Sequence, residues 1–296
     1  GNGNNGTING ATYDTNVPSQ SCNLTNTNGC DSTAVLNLTI NQADTSYTNI
    51  TACDSVLWNG TTYDSSGTYS YSGIGSGSNS YSMSFDGNND YIDLGNSNDF
   101  DFSNSPLSIM CWVYMNNSSW VDGIISKNLS SNLGWWLASS SNNPGWSHPN
   151  TFSFGGAASS GNYFAVHSPF ILNDWVFLSS THINGEQKLY VNGLLIDQSS
   201  HQYDLYNSAT NLLIGKKIGD TYFDGLLDNI SIWATVLSQS EIQQYMNCPP
   251  TGNESGLIGY WNFEEGSGTT VYDQTPNGND GTINGAIYNS NVPSQS

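Results

Sequence analysis

The chain has 296 residues, of which 4 are Lys or Arg and 24 are Asp or Glu, so its formal net charge is −20. Because binding to phosphates depends on Lys and Arg, this composition excludes nucleic acid and anionic lipid as partners, and it favours divalent cations. Aromatic residues reach 12% although charged residues are only 9%. Disordered chains lack aromatics, whereas extracellular β proteins have this profile. No apolar run is long enough to predict insertion into a membrane.

The two ends of the chain carry nearly the same segment. Residues 2–21 read NGNNGTINGATYDTNVPSQS and residues 277–296 read NGNDGTINGAIYNSNVPSQS, and they agree at 16 of 20 positions. Self-similarity of this kind is typical of tandem arrays. We therefore interpret residues 1–21 as the tail of a preceding repeat unit, and the chain as a slice of a longer exported protein.

Residues 22–72 form a first block of short alternating segments. LNLTI (36–40) and SVLWN (55–59) alternate at the period of a β-strand, and Asn59-Gly60 is a turn signal. This pattern predicts a small antiparallel module that is immunoglobulin-like or half of a sandwich. The stretch GIGSGSNS at 73–80 is rich in Gly and Ser, which predicts a flexible linker.

Residues 81–296 form the second block, in which short strand patterns follow one another between Gly, Asn and Asp turns. Such spacing predicts an antiparallel β-sandwich or jelly roll, with closing strands within residues 256–296. One helix is predicted after Ser238, a capping serine that is followed by Glu241, and Pro249-Pro250 ends it. We expect this short helix to plug one end of the sandwich.

Six ordered pieces of the second block resemble the laminin-G/concanavalin A-like sandwich in its bacterial, pentraxin-related form. They are SFDGNNDYIDLG (84–95), SIMCWVYM (108–115), NDWVFLSSTHINGEQKLYVNGLLI (173–196), LLIGKK (212–217), FDGLLDNISIWATVLSQSEI (223–242) and GLIGYWNFEEGSGTTVYDQTPNGNDGTINGA (256–286). The resemblance implies an all-β chain, with a laminin-G-like antiparallel sandwich behind the small β module. The first block, with CDSTAVLNLTI, resembles a repeat of very large secreted surface proteins of gliding, polymer-degrading bacteria.

The resemblance also implies a structural calcium ion. The sandwich family commonly holds Ca²⁺ near its early FDG turn and its last strand, which here implies Asp86 and Asp228 as ligands, with Asn88 and nearby carbonyl groups completing the shell. FDGNND places oxygen side chains at alternate positions, as loops that bind hard cations do. The alternative is that Asp86 caps the turn and that Asp228, in the middle of a strand, accepts backbone N–H groups.

A long polar loop with aromatic side chains is the candidate ligand-binding region. It begins at Trp135-Trp136 and carries Trp146, His148 and Asn150. Aromatic faces stack on the CH surfaces of sugars, and Asn amides bind hydroxyl groups. Neighbouring residues of a strand point to opposite faces, so we expect one tryptophan in the core and assign Trp136 to the ligand. The alternative is that this loop only covers an edge of the sandwich.

Catalytic residues are not indicated. The glucanases that share this fold need carboxylates that converge on one face, as alternating acids on one strand provide. None of the glutamates lies in such a pattern, and no nucleophile elbow, P-loop or zincin helix occurs. We therefore expect a protein that is not an enzyme. The other histidines, His167, His182 and His201, show no metal spacing and are expected on the surface or in loops.

Two short motifs resemble acceptors for modification. Asp31-Ser32-Thr33 and Asp54-Ser55-Val56 are similar to the O-glycosylation acceptor of the bacteria that the first block suggests. The resemblance implies Ser32 and Ser55 as glycosylated residues, and chance occurrence is the alternative.

Together these features favour the repeat unit of a secreted cell-surface adhesin. Its partners would be glycans or neighbouring surface proteins, bound with the support of Ca²⁺, together with adjacent repeat units. The alternative is a purely structural subunit of an extracellular filament or stalk, in which neighbouring units share strands.

Overall fold

The computed structural model describes the backbone and side chains of most of the chain after residue 78. The described residues are 79–103, 105–117, 121–129, 133–140, 148–157, 162–217, 219 and 221–294, together with six earlier strands whose backbone alone is given. The chain divides into two compact units, Gly1–Thr68 and Tyr69–Ser296.

The described part of the first unit consists of antiparallel strand pairs. They are β1 (Gly6–Ile8) with β2 (Ala11–Tyr13), β3 (Val17–Thr25) with β4 (Asp31–Leu38), and β5 (Val56–Trp58) with β6 (Thr61–Tyr63). β5 and β6 flank the turn predicted at Asn59-Gly60, and β3 runs through the predicted boundary between residues 21 and 22. Ser32 lies in β4, whereas Ser55 lies outside the described residues. The small module, the linker and the two glycosylation sites remain predictions.

The second unit is the β-sandwich that the sequence predicts. Its strands are β7 (Ser82–Asp86), β8 (Tyr91–Asp93), β9 (Leu107–Met115), β10 (Val121–Asn128), β11 (Gly134–Ser140), β12 (Thr151–Ala157), β13 (Tyr163–Pro169), β14 (Trp175–Ile183), β15 (Glu186–Val191), β16 (Leu194–Ser200), β17 (Leu213–Ile214), β18 (Lys216–Lys217), β19 (Thr221–Tyr222), β20 (Asp224–Trp233), β21 (Leu257–Trp261), β22 (Thr270–Val271), β23 (Gly281–Asn284) and β24 (Ile287–Asn289). Sheet I has the order β16-β15-β14-β9-β20-β7-β24, with β21 also beside β20. Sheet II has the order β13-β12-β11-β10-β17-β8-β23-β22.

The core lies between the two sheets because alternate residues of each strand point inward. In β11, Trp135 and Leu137 are buried in this core, and the Trp135 ring meets Phe102 edge-on with centroids 6.1 Å apart. Trp136, between them, points to the opposite face and is half-buried. As expected, one tryptophan of the pair is a core residue, and it is Trp135.

The helix α1 (Gln239–Asn247) begins at the predicted serine. The N–H of Glu241 donates to Ser238 Oγ at 3.3 Å, and the N–H of Ser238 donates to Glu241 Oε2 at 2.7 Å, which is a capping box. The expectation that the helix plugs an end of the sandwich is wrong. It packs on the outer face of sheet I, with Trp233 and Tyr245 ring centroids 4.8 Å apart and Ile242 fully buried, because that sheet is apolar on both faces.

His182 corrects the expectation of surface or loop histidines. It follows Leu178 and Ser180 on the inward side of β14, so the alternation of the strand buries it completely. Its Nε2 lies 2.7 Å from Asp204 Oδ1, and Phe164 stacks nearby. Burial lowers the pKa of His182, although the hydrogen bond and charge of Asp204 act in the opposite direction.

Removal of the helix cap tests the contribution of α1 to the sandwich. We expect Ser238→Ala to lower the free energy of unfolding by about 1 kcal/mol, because the amide of Glu241 loses its acceptor. Denaturant unfolding measures this change. Ser105→Ala, at an exposed serine whose side chain caps no helix, is the control and should cost nothing comparable.

The burial of His182 predicts a pH dependence of stability. Because the folded-state pKa is lowered, the unfolded chain binds the proton more readily, and stability is lost as the pH falls below about 6.5. Replacement His182→Asn should flatten the decline in melting temperature between pH 7 and pH 5. An equal slope in wild type and His182→Asn would contradict this account.

Candidate functional site

The outer face of sheet II carries a row of side chains that the register places side by side. Ala165, Gly155 and Trp136 are paired across β13, β12 and β11, so they share this face. Tyr163 and His167 lie two residues to either side of Ala165 on β13 and therefore point the same way. We call these five residues the outer trough. The residues at its centre, Gly155 and Ala165, have small side chains, and aromatic side chains surround them.

Trp136 forms one wall of the outer trough. Its indole lies against Gly155, where a Cβ atom would come within 3.0 Å of Cζ2. The Nζ atom of Lys217 lies over the ring at 4.8 Å from its centroid, and burial lowers the pKa of this lysine to about 8. Because Lys217 occupies a ring face, Trp136 is a fixed wall of the trough and not an open stacking surface.

Lys217 reaches this position because a short hairpin lies across sheet II. The hairpin consists of β18 and β19, and it crosses β10 at Gly123. A Cβ atom at Gly123 would lie 2.3 Å from the backbone nitrogen of Lys217, so only glycine permits the crossing. Ser126, three residues after Gly123 on β10, donates its hydroxyl to the carbonyl of Lys216 at 2.8 Å.

Two stacked histidines form the wall at the other end of the outer trough. The exposed ring of His148 stacks on His167, with centroids 4.0 Å apart and planes 14° apart. Ser153 Oγ lies 2.9 Å from His167 Nδ1. Burial lowers the pKa of His167 and the charge of His148 lowers it further, whereas Asp197 acts in the opposite direction. The neutral form is thus favoured in this stack.

The structure brings together part of the predicted ligand-binding set. His148 stacks on the trough residue His167, and Trp136 lies on the same sheet face. Asn150 is exposed two residues after His148, in the left-handed region with φ 58°, and its carbonyl accepts the N–H of Phe170 at 3.2 Å. Trp146 lies outside the described residues, and its role stays a prediction.

Sequence reasoning missed Tyr163, Ala165 and the contribution of His167. The signal was present in YFAVHSP, where Phe164 and Val166 alternate with these three residues and are buried in the core. Reading that alternation together with the glycines of TFSFGGA would have indicated a shallow outer face.

The structure does not bring Asp86 and Asp228 together. Asp86 lies opposite Asp224 in the register of β7 and β20, so four residues of β20, roughly 13 Å, separate it from Asp228. Asp86 is exposed, its Oδ1 accepts the N–H of Asn88 at 2.9 Å, and hydrogen bonds from Asn88 lower its pKa. This is the turn-capping geometry of the alternative reading. Asn88 belongs to the same turn and lies far from Asp228.

Asp228 lies at the point where β20 changes its partner. β7 pairs with residues 224–227 of β20, and β21 pairs with residues 230–233. The carboxylate fills the gap: it accepts the Asn79 side-chain amide at 2.8 Å and the Asn229 N–H at 2.7 Å. Its pKa is raised well above 3.8 because it is buried, and the charge of Glu264 raises it further.

Asp228 and Glu264 are two carboxylates whose charges interact. Asp228 is completely buried and has no ion-pair partner in the part of the chain that the structure describes. Glu264 Oε1 already accepts the N–H groups of Ser80 and Tyr81 at 2.9 and 3.1 Å. Each carboxylate oxygen has two lone pairs, so both groups can still coordinate. Among the described residues no three His, Cys, Asp or Glu side chains form a metal-binding group, so amide and carbonyl oxygens would have to complete such a shell.

The glutamates hold turns and strand ends. Glu241 caps α1, Glu254 accepts the N–H groups of Thr251 and Gly252, and Glu265 accepts the N–H of Tyr272. None of these residues belongs to the outer trough, so no carboxylate pair faces its floor among the described side chains.

Comparison with known proteins agrees with this architecture. A family model described as the concanavalin A-like lectin/glucanases superfamily matches residues 86–243, which is more than half of the chain. The chain belongs to this superfamily. The match confirms the resemblance of the second block, and it does not extend to the small module in front of it.

Two solved structures that are similar to this chain are the following. A candidate carbohydrate-binding protein from Bacteroides ovatus ATCC 8483 is 20% identical, with a TM-score of 0.59, and the match covers 71% of this chain and 60% of that one. The SAP-like pentraxin of Limulus polyphemus is 13% identical, with a TM-score of 0.48, over 72% of this chain and 95% of that one. The first of these matches shows a likeness of fold alone. The comparison with curated proteins finds no match.

None of the helices in the described part of the chain has the length and hydrophobicity that crossing a bilayer requires.

Proposed function

We propose that the sandwich binds glycans in the outer trough. The observation that carries the proposal is the combination of aromatic walls and a floor of small residues on one outer sheet face. Tyr163 is 54% exposed, and the exposed His148 covers His167 at the other end. Sugar rings stack their CH faces on such side chains, and concave sites with a few polar groups bind them in one orientation.

The dimensions of the outer trough suit an extended ligand. Tyr163 and His167 are four residues apart on β13, which is roughly 13 Å along the strand. Ala165 lies midway, and the Trp136 indole lies against the buried Gly155 on the neighbouring strand. The exposed Asn150 supplies an amide group near the histidine wall, where it can bind sugar hydroxyls.

The charge of the chain restricts the class of glycan. With 24 acidic residues against 4 basic ones, the surface repels carboxylated and sulfated sugars. The one lysine at the trough, Lys217, is buried over Trp136. We therefore assign neutral glycans as the ligand class.

Binding without cleavage is part of this proposal. Hydrolysis of a glycosidic bond requires two carboxyl groups on either side of that bond. The glutamates Glu241, Glu254 and Glu265 are held in capping and turn contacts away from the trough. Release of reducing sugar from the polysaccharide that binds would contradict the proposal.

The proposed biological setting is an extracellular adhesin. The duplicated terminal segment, the acidic surface rich in Asn and Ser, and the lectin fold support a repeat unit that attaches a cell surface to a glycan-bearing one. Glycosylation of Ser32 and Ser55 belongs to this proposal. Detection of glycan mass on peptides cut before Asp31, Asp44, Asp54 and Asp64, from protein of the native cell surface, tests both the location and the modification.

Glycan binding is tested first on an array of neutral and acidic oligosaccharides. The best neutral ligand is then titrated by calorimetry against Tyr163→Ala and Trp136→Ala. We expect each change to weaken binding about tenfold, or about 1.4 kcal/mol, because a wall of the trough is removed. Trp175→Ala is the matched control, since Trp175 is a half-buried tryptophan on sheet I. Equal losses in all three variants, or binding only of acidic glycans, would contradict the site.

We also propose that Ca²⁺ binds at Asp228 and Glu264. The support is a buried carboxylate without a cationic partner, beside a second carboxylate, in a chain of net charge −20. Such an ion would join the ends of β7 and β21 to β20, which are the three strands that meet at Asp228.

Melting curves with and without chelator test the calcium site. At a Ca²⁺ concentration 100 times the dissociation constant, we expect about 2.7 kcal/mol of added stability. Asp228→Asn and Glu264→Gln should abolish this gain, whereas Asp86→Asn should retain it because Asp86 lies elsewhere. A gain that is lost in Asp86→Asn and kept in Asp228→Asn would reverse the assignment.

A further inference from the structure

The last segment of the chain closes the sandwich by joining both sheets. We call residues 277–296 the closing segment. β23 pairs with β8 and β22 in sheet II, and β24 pairs with β7 in sheet I. Ala286 lies between the two strands and is part of the core, at 6% exposure. The segment therefore crosses from one sheet to the other at this side of the molecule.

Two glycines allow the closing segment to approach the rest of the fold. A Cβ atom on Gly281 would lie 2.6 Å from Leu94 and 2.7 Å from Ile92. Gly285 has φ +82°, and a Cβ atom there would lie 2.0 Å from Asp90 Oδ1. Larger residues at these two positions would force the strands away from the core.

Polar contacts fix the two ends of the closing segment. The carbonyl of Asn279 accepts the indole N–H of Trp261 at 3.0 Å. The carbonyl of Asn291 accepts the Ser82 hydroxyl at 2.7 Å, and its Oδ1 accepts the indole N–H of Trp175 at 3.2 Å. These bonds attach both ends of the segment to strands of sheet I, namely β21, β7 and β14.

Residues 2–21, which we call the N-terminal copy, preserve every one of these positions. The offset between the copies is 275 residues, so Asn279, Gly281, Gly285, Ala286 and Asn291 correspond to residues of the same type. Those residues are Asn4, Gly6, Gly10, Ala11 and Asn16. The N-terminal copy thus carries the residue types that make these contacts in the closing segment.

The four differences between the copies fall where the closing segment tolerates them. Asp280, Ile287 and Ser290 are exposed, and Asn5, Thr12 and Thr15 stand in their places in the N-terminal copy. The fourth difference replaces the half-buried Asn289 by Asp14.

Hydrogen-bond acceptors are kept across these differences. Asp280 Oδ1 accepts the N–H of Asp273 at 2.9 Å, which an Asn side-chain oxygen also does. Asn289 Oδ1 accepts the N–H of Asn291 at 2.8 Å, and an Asp carboxylate can replace it. The substitutions therefore leave the closing geometry intact.

The strands of the N-terminal copy pair differently from those of the closing segment. β1 pairs with β2 in a local hairpin, whereas their counterparts β23 and β24 lie in separate sheets. A two-residue hairpin needs a turn such as Asn9-Gly10. It does not account for the identity at Asn4, Ala11 and Asn16.

We propose that the N-terminal copy is a donor segment that closes the sandwich of a second copy of this chain. It takes the place of that copy's own residues 277–296, with β1 beside β8 and β2 beside β7. The contact joins two different surfaces, so it builds an open head-to-tail row of sandwiches. This inference is independent of glycan binding in the outer trough.

A paired substitution in the full chain tests the proposal. Ala286→Asp buries an unpaired charge and expels the closing segment, so the melting temperature of isolated molecules should fall by about 10 °C. We expect this variant to form oligomers as its concentration rises, because the intact residues 2–21 of one molecule close another. The double variant Ala11→Asp/Ala286→Asp should stay monomeric at the lower melting temperature. Ile287→Asp, at a side chain that is 65% exposed, is the matched control and should resemble wild type.

A synthetic peptide of residues 2–21 keeps the test decisive if Ala286→Asp does not fold. Added to that variant, the peptide should restore a cooperative melting transition and block oligomers, and the same peptide with Ala11→Asp should do neither. The proposal is overturned if the single and double variants share one oligomeric state and neither responds to the peptide. The N-terminal copy could instead close the sandwich of its own chain. In that case the melting temperature would fall only in the double variant and both variants would be monomers, which would overturn the assignment to a second copy.

Discussion

The pairing of β20 is the constraint on which the sandwich depends. β20 lies beside β9 along its length, while its other edge is divided between β7 and β21. A strand shared in this way leaves a gap where one partner ends and the other begins, and a buried polar group must fill it. Asp228 does so with hydrogen bonds from Asn79 and Asn229. The same division brings the start of β7 and the end of β21 to one place.

Much of the fold could be predicted because its signals are local. The alternation of WWLAS placed one tryptophan inside, and Ser238 with Glu241 marked the start of α1. The location of the helix was not predictable in the same way, since it depends on a cluster of apolar side chains from five separate strands. His182 shows the same limit: its burial follows from the phase of β14, and its partner Asp204 is 22 residues away.

The candidate sites were predicted in part for a related reason. Asp86 and Asp228 both belong to motifs of the family, but their distance is set by the register of β7 against β20, which no single segment encodes. The outer trough shows the reverse case. The alternation of β13 indicates that Tyr163 and His167 share a face, but the register that brings Trp136 over Gly155 beside them is not encoded in any single segment.

The protonation state of Lys217, whose Nζ atom lies over the Trp136 ring, affects one wall of the outer trough. With its pKa near 8, Lys217 gives up its proton in mildly alkaline water. A neutral amine has little attraction for the negative face of an indole, so the ring is then held by packing alone. One contact of the trough wall therefore weakens as the pH rises through about 8.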